Sequence, residues 1–332
     1  MVHAVSQRKV LVTGADGFIG SHLVEALVRA GASVRAMAYY NSFNSWGWLD
    51  TVECLADVEV IAGDIRDAEL VRKAVAGTEI VFHLAALIAI PYSYQAPRSY
   101  IDTNVTGTLN VLQAVRETGA RQLLLASTSE VYGTARYVPI DEAHPRQPQS
   151  PYSASKIAAD ALAESFHLSF GTPVTIVRPF NTYGPRQSAR AVIPTVIAQL
   201  MSGQRTIKLG NVHPTRDLNY VEDTCRGFLA LAGCEQSLGK SVNVGSGREI
   251  SIGDLARLIA RIFETEIAIE TDEQRLRPST SEVERLCCDN TLIRSLTGYE
   301  PAVDLEQGLR RTIDWFRRSG NRERYKAMMY NV

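Results

Sequence analysis

The stretch from Lys9 to Leu27 places the strongest limit on the fold of this chain. It reads Lys9-Val-Leu-Val-Thr-Gly-Ala-Asp-Gly-Phe-Ile-Gly-Ser-His-Leu-Val-Glu-Ala-Leu27, an apolar run of strand length that passes into three glycines and then into helical apolar spacing. Gly14 permits a tight turn, Gly17 lets the backbone approach a pyrophosphate, and Gly20 allows close packing of helix on sheet. The pattern predicts a dinucleotide-binding unit that opens on strand, turn and helix.

Strand-like runs recur along the chain, with helical segments between most of them, at 10–13, 33–38, 58–62, 80–84, 123–126 and 174–177. This alternation predicts an α/β fold with a Rossmann-type, doubly wound parallel sheet and a smaller, interleaved C-terminal substrate lobe. We expect the dinucleotide-binding domain at 1–180, a return segment near 241–250, and the substrate lobe mainly at 181–332.

Two further strand ends fit a cofactor crevice, because ligands gather where parallel strands end. Asp64 is suited to accept from an adenine amino group and Ile65 to lie against the ring, although the same residues suit a turn and helix cap. The small residues after His83 permit close approach of a ribose or simple packing under a loop. The predicted cofactor contacts are Gly14, Gly17, Phe18, Ile19, Gly20, Asp64, Ile65, Leu84, Ala85, Ala86, Tyr152 and Lys156.

The second strand lacks the acid that usually holds the adenosine ribose and favours NAD over NADP. The segment from Ser33 to Trp48 contains no carboxylate. Arg35 lies within the strand and is compatible with a solvated side chain. The sequence predicts tightly bound NAD and leaves NADP open.

A tyrosine and a lysine four residues apart, Tyr152 and Lys156, open an alanine-rich helical segment. Residues at this spacing share a helix face, so the Lys156 ammonium is expected to favour the ionised form of the Tyr152 phenol. Thr128 or Ser127 follows the preceding strand within reach of that phenol, and Glu130 offers a second base. The group is suited to drawing a proton from a sugar alcohol.

Composition limits the remaining function classes. The chain has 332 residues, of which 45% are hydrophobic and 21% charged, and its formal net charge is −1. Balanced charge gives little support for nucleic-acid binding. The five cysteines and six histidines are scattered, which predicts free thiols and no metal site. No apolar stretch approaches a membrane span, so we expect a cytoplasmic protein without membrane contact.

Together these residues resemble the extended short-chain dehydrogenase/reductase superfamily over essentially the whole chain. The resemblance is carried by the Thr-Gly-x-x-Gly-x-x-Gly turn, Gly63-Asp64, His83-Leu-Ala-Ala and the Tyr152/Lys156 pair. Within the superfamily the chain is similar to nucleotide-sugar 4,6-dehydratases. It looks closest to the legionaminic-acid-pathway branch that acts on N-acetylglucosamine nucleotides, through Tyr40-Asn-Ser-Phe-Asn-Ser-Trp-Gly-Trp48 and Arg178-Pro-Phe-Asn-Thr-Tyr-Gly-Pro-Arg-Gln-Ser-Ala-Arg190.

The resemblance implies a UDP- or GDP-N-acetylglucosamine or related hexose substrate and a 4-keto-6-deoxy product. Tyr152 takes the C4 hydroxyl proton as the C4 hydride passes to the nicotinamide, Glu130 removes the C5 proton, water leaves from C6, and the hydride returns to C6. Thr128 would hold the C4 oxygen. Lys156 would hold the nicotinamide ribose.

The residue between Thr128 and Glu130 departs from one family pattern. Many dTDP-glucose dehydratases have Asp there, whereas this chain has Ser129; GDP-mannose dehydratases and UDP-glucuronate decarboxylases also read Thr-Ser-Glu. Decarboxylation therefore stays open as the alternative. Glu130 argues against a simple C4 epimerase, which needs no such base, and the joint presence of Thr128, Tyr152 and Lys156 argues against an NAD-sensing scaffold.

The resemblance also points to substrate contacts and a homodimer. Guanidinium groups suit a diphosphate, and the helices carrying Asn104 and Tyr152 form a dimer bundle in relatives. The predicted substrate contacts are Ser129, Asn181, Arg186, Lys208, Leu209, Arg216 and Arg277.

Overall fold

The computed structural model describes residues 4–318, 320, 321 and 325. The outer ends of the two predicted domains, 1–3 and 326–332, lie outside the described residues. Twelve strands are assigned within the described part: β1 Lys9–Thr13, β2 Ser33–Tyr39, β3 Val58–Gly63, β4 Ile80–His83, β5 Gln122–Ala126, β6 Val174–Pro179, β7 Asn181–Tyr183, β8 Thr206–Leu209, β9 Thr215–Tyr220, β10 Ser241–Val244, β11 Glu249–Ser251 and β12 Ala268–Thr271.

The helices of the same part run between and after these strands. They are α1 Phe18–Arg29, α2 Ala68–Val75, α3 Ile90–Gln95, α4 Pro97–Tyr100, a π-helical turn Ile101–Thr106, α5 Gly107–Thr118, α6 Pro151–Phe170, α7 Val192–Met201, α8 Val221–Leu231, α9 Ile252–Ile262, α10 Thr291–Thr297 and α11 Leu305–Arg317. None of them combines the length and the apolar character that a bilayer crossing requires.

Seven parallel strands form the central sheet in the order β10-β6-β5-β4-β1-β2-β3. The six strands predicted from sequence are confirmed, with ends within two residues of expectation. Side chains alternate across β1, so that Val10 and Val12 join one apolar cluster and Leu11 joins another. Because both faces of the sheet are covered, the predicted doubly wound α/β fold is confirmed.

The chain beyond β6 alternates between this sheet and a smaller lobe. β10 pairs with β6, which returns the chain to the central sheet. The lobe holds a three-stranded sheet, β11-β9-β7, and a two-stranded sheet, β12-β8. The sequence did not predict these short strands. Three of the predicted substrate contacts, Asn181, Leu209 and Arg216, lie on these strands.

Helix α6 begins where a strong capping arrangement fixes it. The Ser150 side chain accepts from the Ser153 backbone N–H at 3.1 Å, the Ser153 hydroxyl accepts from the Ser150 N–H at 3.0 Å, and Pro151 occupies the first turn. Tyr152 therefore stands in the first turn, with Lys156 one turn further on the same face.

Arg35 on β2 is not a solvated side chain, contrary to one expectation. It is 9% exposed, and its guanidinium donates to the carbonyl oxygens of Ala74 and Ala76 and pairs with Glu59 at 3.0 Å. These partners hold it on the helix side of the sheet, away from the strand ends.

Candidate active site

A cavity of about 1200 Å³ lies across the carboxyl ends of the central strands and under the smaller lobe. It collects residues from the turn after β1, the ends of β2 to β6, the first turn of α6 and the lobe. Every predicted cofactor and catalytic residue lines it. Of the predicted substrate residues, those that line it are Ser129, Asn181, Leu209, Arg216 and Arg277.

The glycine turn leaves backbone room for a dinucleotide. Gly14 has φ +68°, and a Cβ there would lie 2.7 Å from the Ala85 backbone nitrogen. A Cβ on Gly20 would lie 2.1 Å from the Gly14 carbonyl oxygen. Gly17 caps α1 without a side-chain hydrogen bond, so the helix presents its first N–H groups to the cavity. These features fit a pyrophosphate.

A buried histidine holds the segment after β4 in place. His83 Nδ1 lies 2.7 Å from Thr13 Oγ1, which also accepts from the Ala85 N–H at 3.2 Å, and His83 Nε2 lies 3.2 Å from Thr108 Oγ1. Burial, followed by the charge of Lys156, lowers the pKa of His83 to about 3. The ring is therefore a neutral support that fixes Leu84 to Ala86 against the glycine turn.

The segment after β3 is fixed in a similar way. Asn110 Nδ2 donates to the Ile65 carbonyl oxygen at 3.0 Å, and Asp64 forms a two-point ion pair with Arg66. The Arg66 side chain is the main influence that lowers the pKa of Asp64. Ile65 also packs against Gly107, where a Cβ would come within 2.5 Å of its Cδ1. The Asp64 and Ile65 side chains both face the cavity.

The four predicted catalytic residues meet at the ends of β5 and α6. Thr128 Oγ1 accepts from the Glu130 N–H at 3.2 Å, and the Thr128 hydroxyl is a neighbour of the Tyr152 phenol that lowers its pKa. Lys156 Nζ donates to the Ala126 carbonyl oxygen at 2.8 Å. Tyr152, Lys156 and Glu130 are 7%, 3% and 8% exposed, so the three side chains are shielded from bulk water.

Burial shifts the pKa values of Tyr152 and Lys156 in opposite directions, in each case toward the neutral form. Burial raises the pKa of Tyr152 above its ordinary value, the Thr128 hydroxyl opposes that rise, and the Glu130 charge adds to it. Burial also lowers the pKa of Lys156, with Asp160 opposing. Thr128 is therefore a neighbour that favours the phenolate.

The buried Asn104 amide is hydrogen-bonded at both its oxygen and its nitrogen. Its side chain accepts from the Leu87 N–H at 2.8 Å, donates to the Leu87 carbonyl oxygen at 2.9 Å, and donates to Ser155 Oγ at 2.9 Å. It lies in the π-helical turn and ties the segment after β4 to α6. Its amide therefore positions the cavity wall.

The substrate side of the cavity carries charges that are already paired. Arg216 and Arg277 both face Glu282, at 3.4 Å and 3.7 Å. Burial lowers the pKa of Arg216, and the charge of Glu130 is the first influence that opposes this. Asn181 Oδ1 is buried without a hydrogen-bond partner among the described residues. An acceptor left unpaired at this point is suited to a donor group of a ligand.

Two predicted substrate residues lie elsewhere. Arg186 has φ +69° and forms a two-point ion pair with Glu25 of α1, with nitrogen–oxygen distances of 2.8 and 3.1 Å. Lys208 points to solvent from β8, because the buried positions of that strand are its neighbours Ile207 and Leu209. The structure therefore does not bring Arg186 or Lys208 into the cavity.

A buried polar network beneath the catalytic residues was missed by the sequence analysis. Arg178 of β6 donates to Asp160 of α6 at 3.0 and 3.2 Å and to the Tyr132 hydroxyl at 2.9 Å, and Tyr132 donates to Asn243 at 2.8 Å. Arg178 and Asp160 are 2% and 0% exposed. The spacing Lys156-x-x-x-Asp160 was a usable signal, since it puts both side chains on one helix face.

Two cavity carboxylates, Asp16 and Glu282, were also missed. All five cysteines are free thiols, and no group of three metal-ligating side chains occurs in the part of the chain that the structure covers. The four predicted catalytic residues supply a phenol, an ammonium, a hydroxyl and a carboxylate.

Comparisons with known proteins place this arrangement in a family. A family model described as GDP-mannose 4,6 dehydratase matches residues 11–312. A putative UDP-glucose 4-epimerase of Methanocaldococcus jannaschii is 32% identical over 313 residues, covering 93% of this chain and 98% of the relative. A dTDP-glucose 4,6-dehydratase of Streptomyces antibioticus is 33% identical over 312 residues, covering 93% and 92%.

A solved structure shows the same likeness in three dimensions. The dTDP-glucose 4,6-dehydratase DesIV of Streptomyces venezuelae, determined with NAD bound, superposes with a TM-score of 0.86 at 29% identity and covers 97% of this chain and 100% of that one. Dehydratases and epimerases thus share this scaffold.

Proposed function

The chain belongs to the GDP-mannose 4,6-dehydratase family of extended short-chain dehydrogenases/reductases, and from that membership we propose that it is a nucleotide-sugar 4,6-dehydratase. The observation that carries the proposal is Glu130. Its carboxylate lies in the cavity beside the Thr128–Tyr152 pair, and no cationic nitrogen of the described residues forms a salt bridge with it. Its charge acts on the buried Arg216 guanidinium, but no salt bridge compensates its burial, and a role in the reaction explains why the carboxylate stands there.

The cofactor is NAD, held by the glycine turn, the ends of β3 and β4, and Tyr152 with Lys156. When bound, it supplies a hydride acceptor at C4 and returns the same hydride at C6, so the reaction has no net oxidation.

The protein residues then divide the proton transfers between two bases. Tyr152 removes the proton of the C4 hydroxyl, helped by the Thr128 hydroxyl, which favours the phenolate. A ketone at C4 makes the C5 proton acidic. Glu130 takes that proton and delivers it to the oxygen that leaves C6, so that water departs. After the hydride returns to C6, C5 takes up one proton, which balances the proton that Tyr152 removed from the C4 hydroxyl. Both residues then return to their starting states. Ser129 does not ionise at neutral pH, which leaves Glu130 to carry both transfers.

The lobe supplies the contacts for the nucleotide. Arg216 and Arg277 are placed to bind the diphosphate, Asn181 offers an unpaired acceptor to the sugar, and Leu209 offers an apolar contact to the base. We propose a UDP- or GDP-N-acetylglucosamine, or a related hexose, as the substrate.

A panel assay with Glu130→Gln tests the proposal. The wild-type enzyme should convert one UDP-, GDP- or dTDP-hexose to a keto sugar with loss of one water, seen by mass spectrometry. Glu130→Gln should bind the same nucleotide sugar and lose at least about a hundredfold in rate, the usual contribution of a positioned base. Glu142→Gln is the control, since Glu142 is a partly buried carboxylate outside the cavity lining.

The same panel separates the competing activities. Loss of carbon dioxide from UDP-glucuronate would make the enzyme a decarboxylase, the alternative that shares the Thr-Ser-Glu sequence. Conversion of a sugar to its C4 epimer without change of mass, at an undiminished rate in Glu130→Gln, would make it an epimerase.

A further inference from the structure

The end of β2 lacks a carboxylate of its own, yet a carboxylate lies there. β1 and β2 pair in parallel with Thr13 opposite Met37, and the Ala15 N–H donates to the Met37 carbonyl oxygen at 3.2 Å. The glycine turn therefore runs alongside the last residues of β2. Asp16 and Tyr39 both line the cavity at this strand end. Burial raises the pKa of the Asp16 carboxyl, and the neighbouring backbone N–H groups of Asp16 and Tyr39 oppose that rise.

The loop after β2 holds Asp16 in this place. The Trp48 N–H donates to the Asp16 carbonyl oxygen at 3.0 Å. Gly47, at φ +60°, passes so close that a Cβ would lie 2.7 Å from that oxygen and 3.1 Å from the Asp16 Cβ. Asp50, the first carboxylate after β2 in the sequence, is used within the loop, where it accepts from the Trp46 N–H and from Ser45 Oγ.

Asp16 lies where the adenosine ribose of a bound dinucleotide is expected. The pyrophosphate lies at the glycine turn, and the adenine reaches the end of β3 at Asp64 and Ile65, so the ribose between them passes the end of β2. Asp64 is neutralised by its two-point pair with Arg66. Among the residues that the structure describes, no lysine or arginine forms a salt bridge with Asp16.

We propose that Asp16 replaces the missing strand-end acid, binds the hydroxyl groups of the adenosine ribose, and makes the protein select NAD against NADP. A carboxylate accepts hydrogen bonds from a 2′-hydroxyl and repels a 2′-phosphate, so one residue supplies both the attraction and the rejection. Arg66 is the opposing group: it also lines the cavity and would attract a 2′-phosphate, but its guanidinium is committed to Asp64.

Dinucleotide binding, measured without any sugar nucleotide, tests this inference. Its result does not depend on whether the proposed reaction takes place. Each purified protein is dialysed to equilibrium against equal concentrations of NAD and NADP, and the retained dinucleotides are extracted and quantified. Wild-type protein should retain NAD over NADP by at least about tenfold, and Asp16→Asn should reduce that ratio by about tenfold, the usual size of one lost charge-assisted hydrogen bond. Raised salt should reduce the ratio in the wild type more than in the variant, because it screens the repulsion.

Glu69→Gln is the matched control. It removes one negative charge from α2, close to the same edge of the sheet but outside the cavity lining, and should leave the ratio unchanged. Asp16→Ser provides a second variant if the amide disturbs the turn, with folding of both checked by circular dichroism. An unchanged ratio in the folded variants, or a wild-type preference for NADP that disappears in Arg66→Gln, would overturn the assignment.

Discussion

The two ends of the cavity are built in different ways. The dinucleotide end consists of short contiguous segments, each following a strand of one sheet, and its contacts are largely backbone groups and close glycine approaches. The substrate end, where the predicted substrate contacts lie, consists of charged side chains from separate segments of the chain. These side chains are already paired with one another, as Arg216 on β9 is with Glu282. Shape limits what binds at the first end, and exchange of ionic partners limits what binds at the second.

The two ends also depend on a common support. Asp160 stands on the helix that carries Tyr152 and Lys156, whereas its partner Arg178 stands on β6 just before Asn181. The same guanidinium reaches Tyr132, in the turn that carries Glu130. The buried Arg178–Asp160–Tyr132 network therefore connects the elements that form the two ends of the cavity.

The largest expected effect is at this support. Asp160→Asn should destabilise the protein by about 3–5 kcal/mol, because it leaves the buried Arg178 guanidinium without its counter-charge. Denaturant unfolding of wild type and variant measures the difference. Glu306→Gln is the control, since it breaks an exposed pair with Arg310 and should change the free energy of unfolding by less than about 0.5 kcal/mol. Equal effects of the two substitutions would show that the Arg178–Asp160 network is not a structural joint.

Gly20→Ala tests the steric character of the dinucleotide end. The added Cβ would lie 2.1 Å from the Gly14 carbonyl oxygen, so the glycine turn must move. We expect a loss of about 1–3 kcal/mol in the free energy of unfolding, together with a marked loss of NAD affinity. Thermal unfolding and NAD titration measure the two quantities.

The control for this substitution is another glycine. Gly77→Asn lies at a positive φ with no atoms near its missing Cβ, where asparagine is tolerated best. It should leave NAD affinity unchanged. If Gly20→Ala bound NAD as well as the wild type, the glycine turn would be able to move at a lower cost in free energy than its close contacts indicate.

The same contrast explains what the sequence could predict. At the dinucleotide end, each motif directly follows an apolar run of strand length, so finding the strands located the contacts after β1, β3 and β4. At the substrate end, the contacts depend on partners far away in the chain. Arg186 lies outside the cavity because it pairs with Glu25, 161 residues earlier. Lys208 also lies outside the cavity, because alternation along β8, a strand that the sequence did not reveal, turns Leu209 inward and Lys208 outward.

At the dinucleotide end, the buried His83 ring makes the free energy of unfolding depend on pH. Its pKa is about 3 in the folded protein against 6.5 for the ordinary group, so the unfolded chain binds the extra proton as the pH falls below about 6.5. The contribution of His83 to the free energy of unfolding is therefore fully present above pH 6.5. It decreases on acidification by up to about 1.4 kcal/mol per pH unit. Urea unfolding between pH 7 and pH 5 should show a smaller slope in His83→Asn than in the wild type. Identical slopes would contradict the neutral role of the ring.

The smallest expected effect concerns the ionic partners at the substrate end. Glu282 balances Arg216 and Arg277 at distances of 3.4 and 3.7 Å, longer than a tight ion pair, so a diphosphate has only a weak competitor to displace. Glu282→Gln should therefore tighten UDP binding by about two- to fivefold, the range expected for a pair of this strength. Glu284→Gln removes the same charge two residues away, from an exposed side chain, and should change UDP affinity less. Calorimetric titration of UDP into the three proteins decides the point, because weaker binding in Glu282→Gln would mean that Glu282 orients the arginines for the diphosphate and does not compete with it.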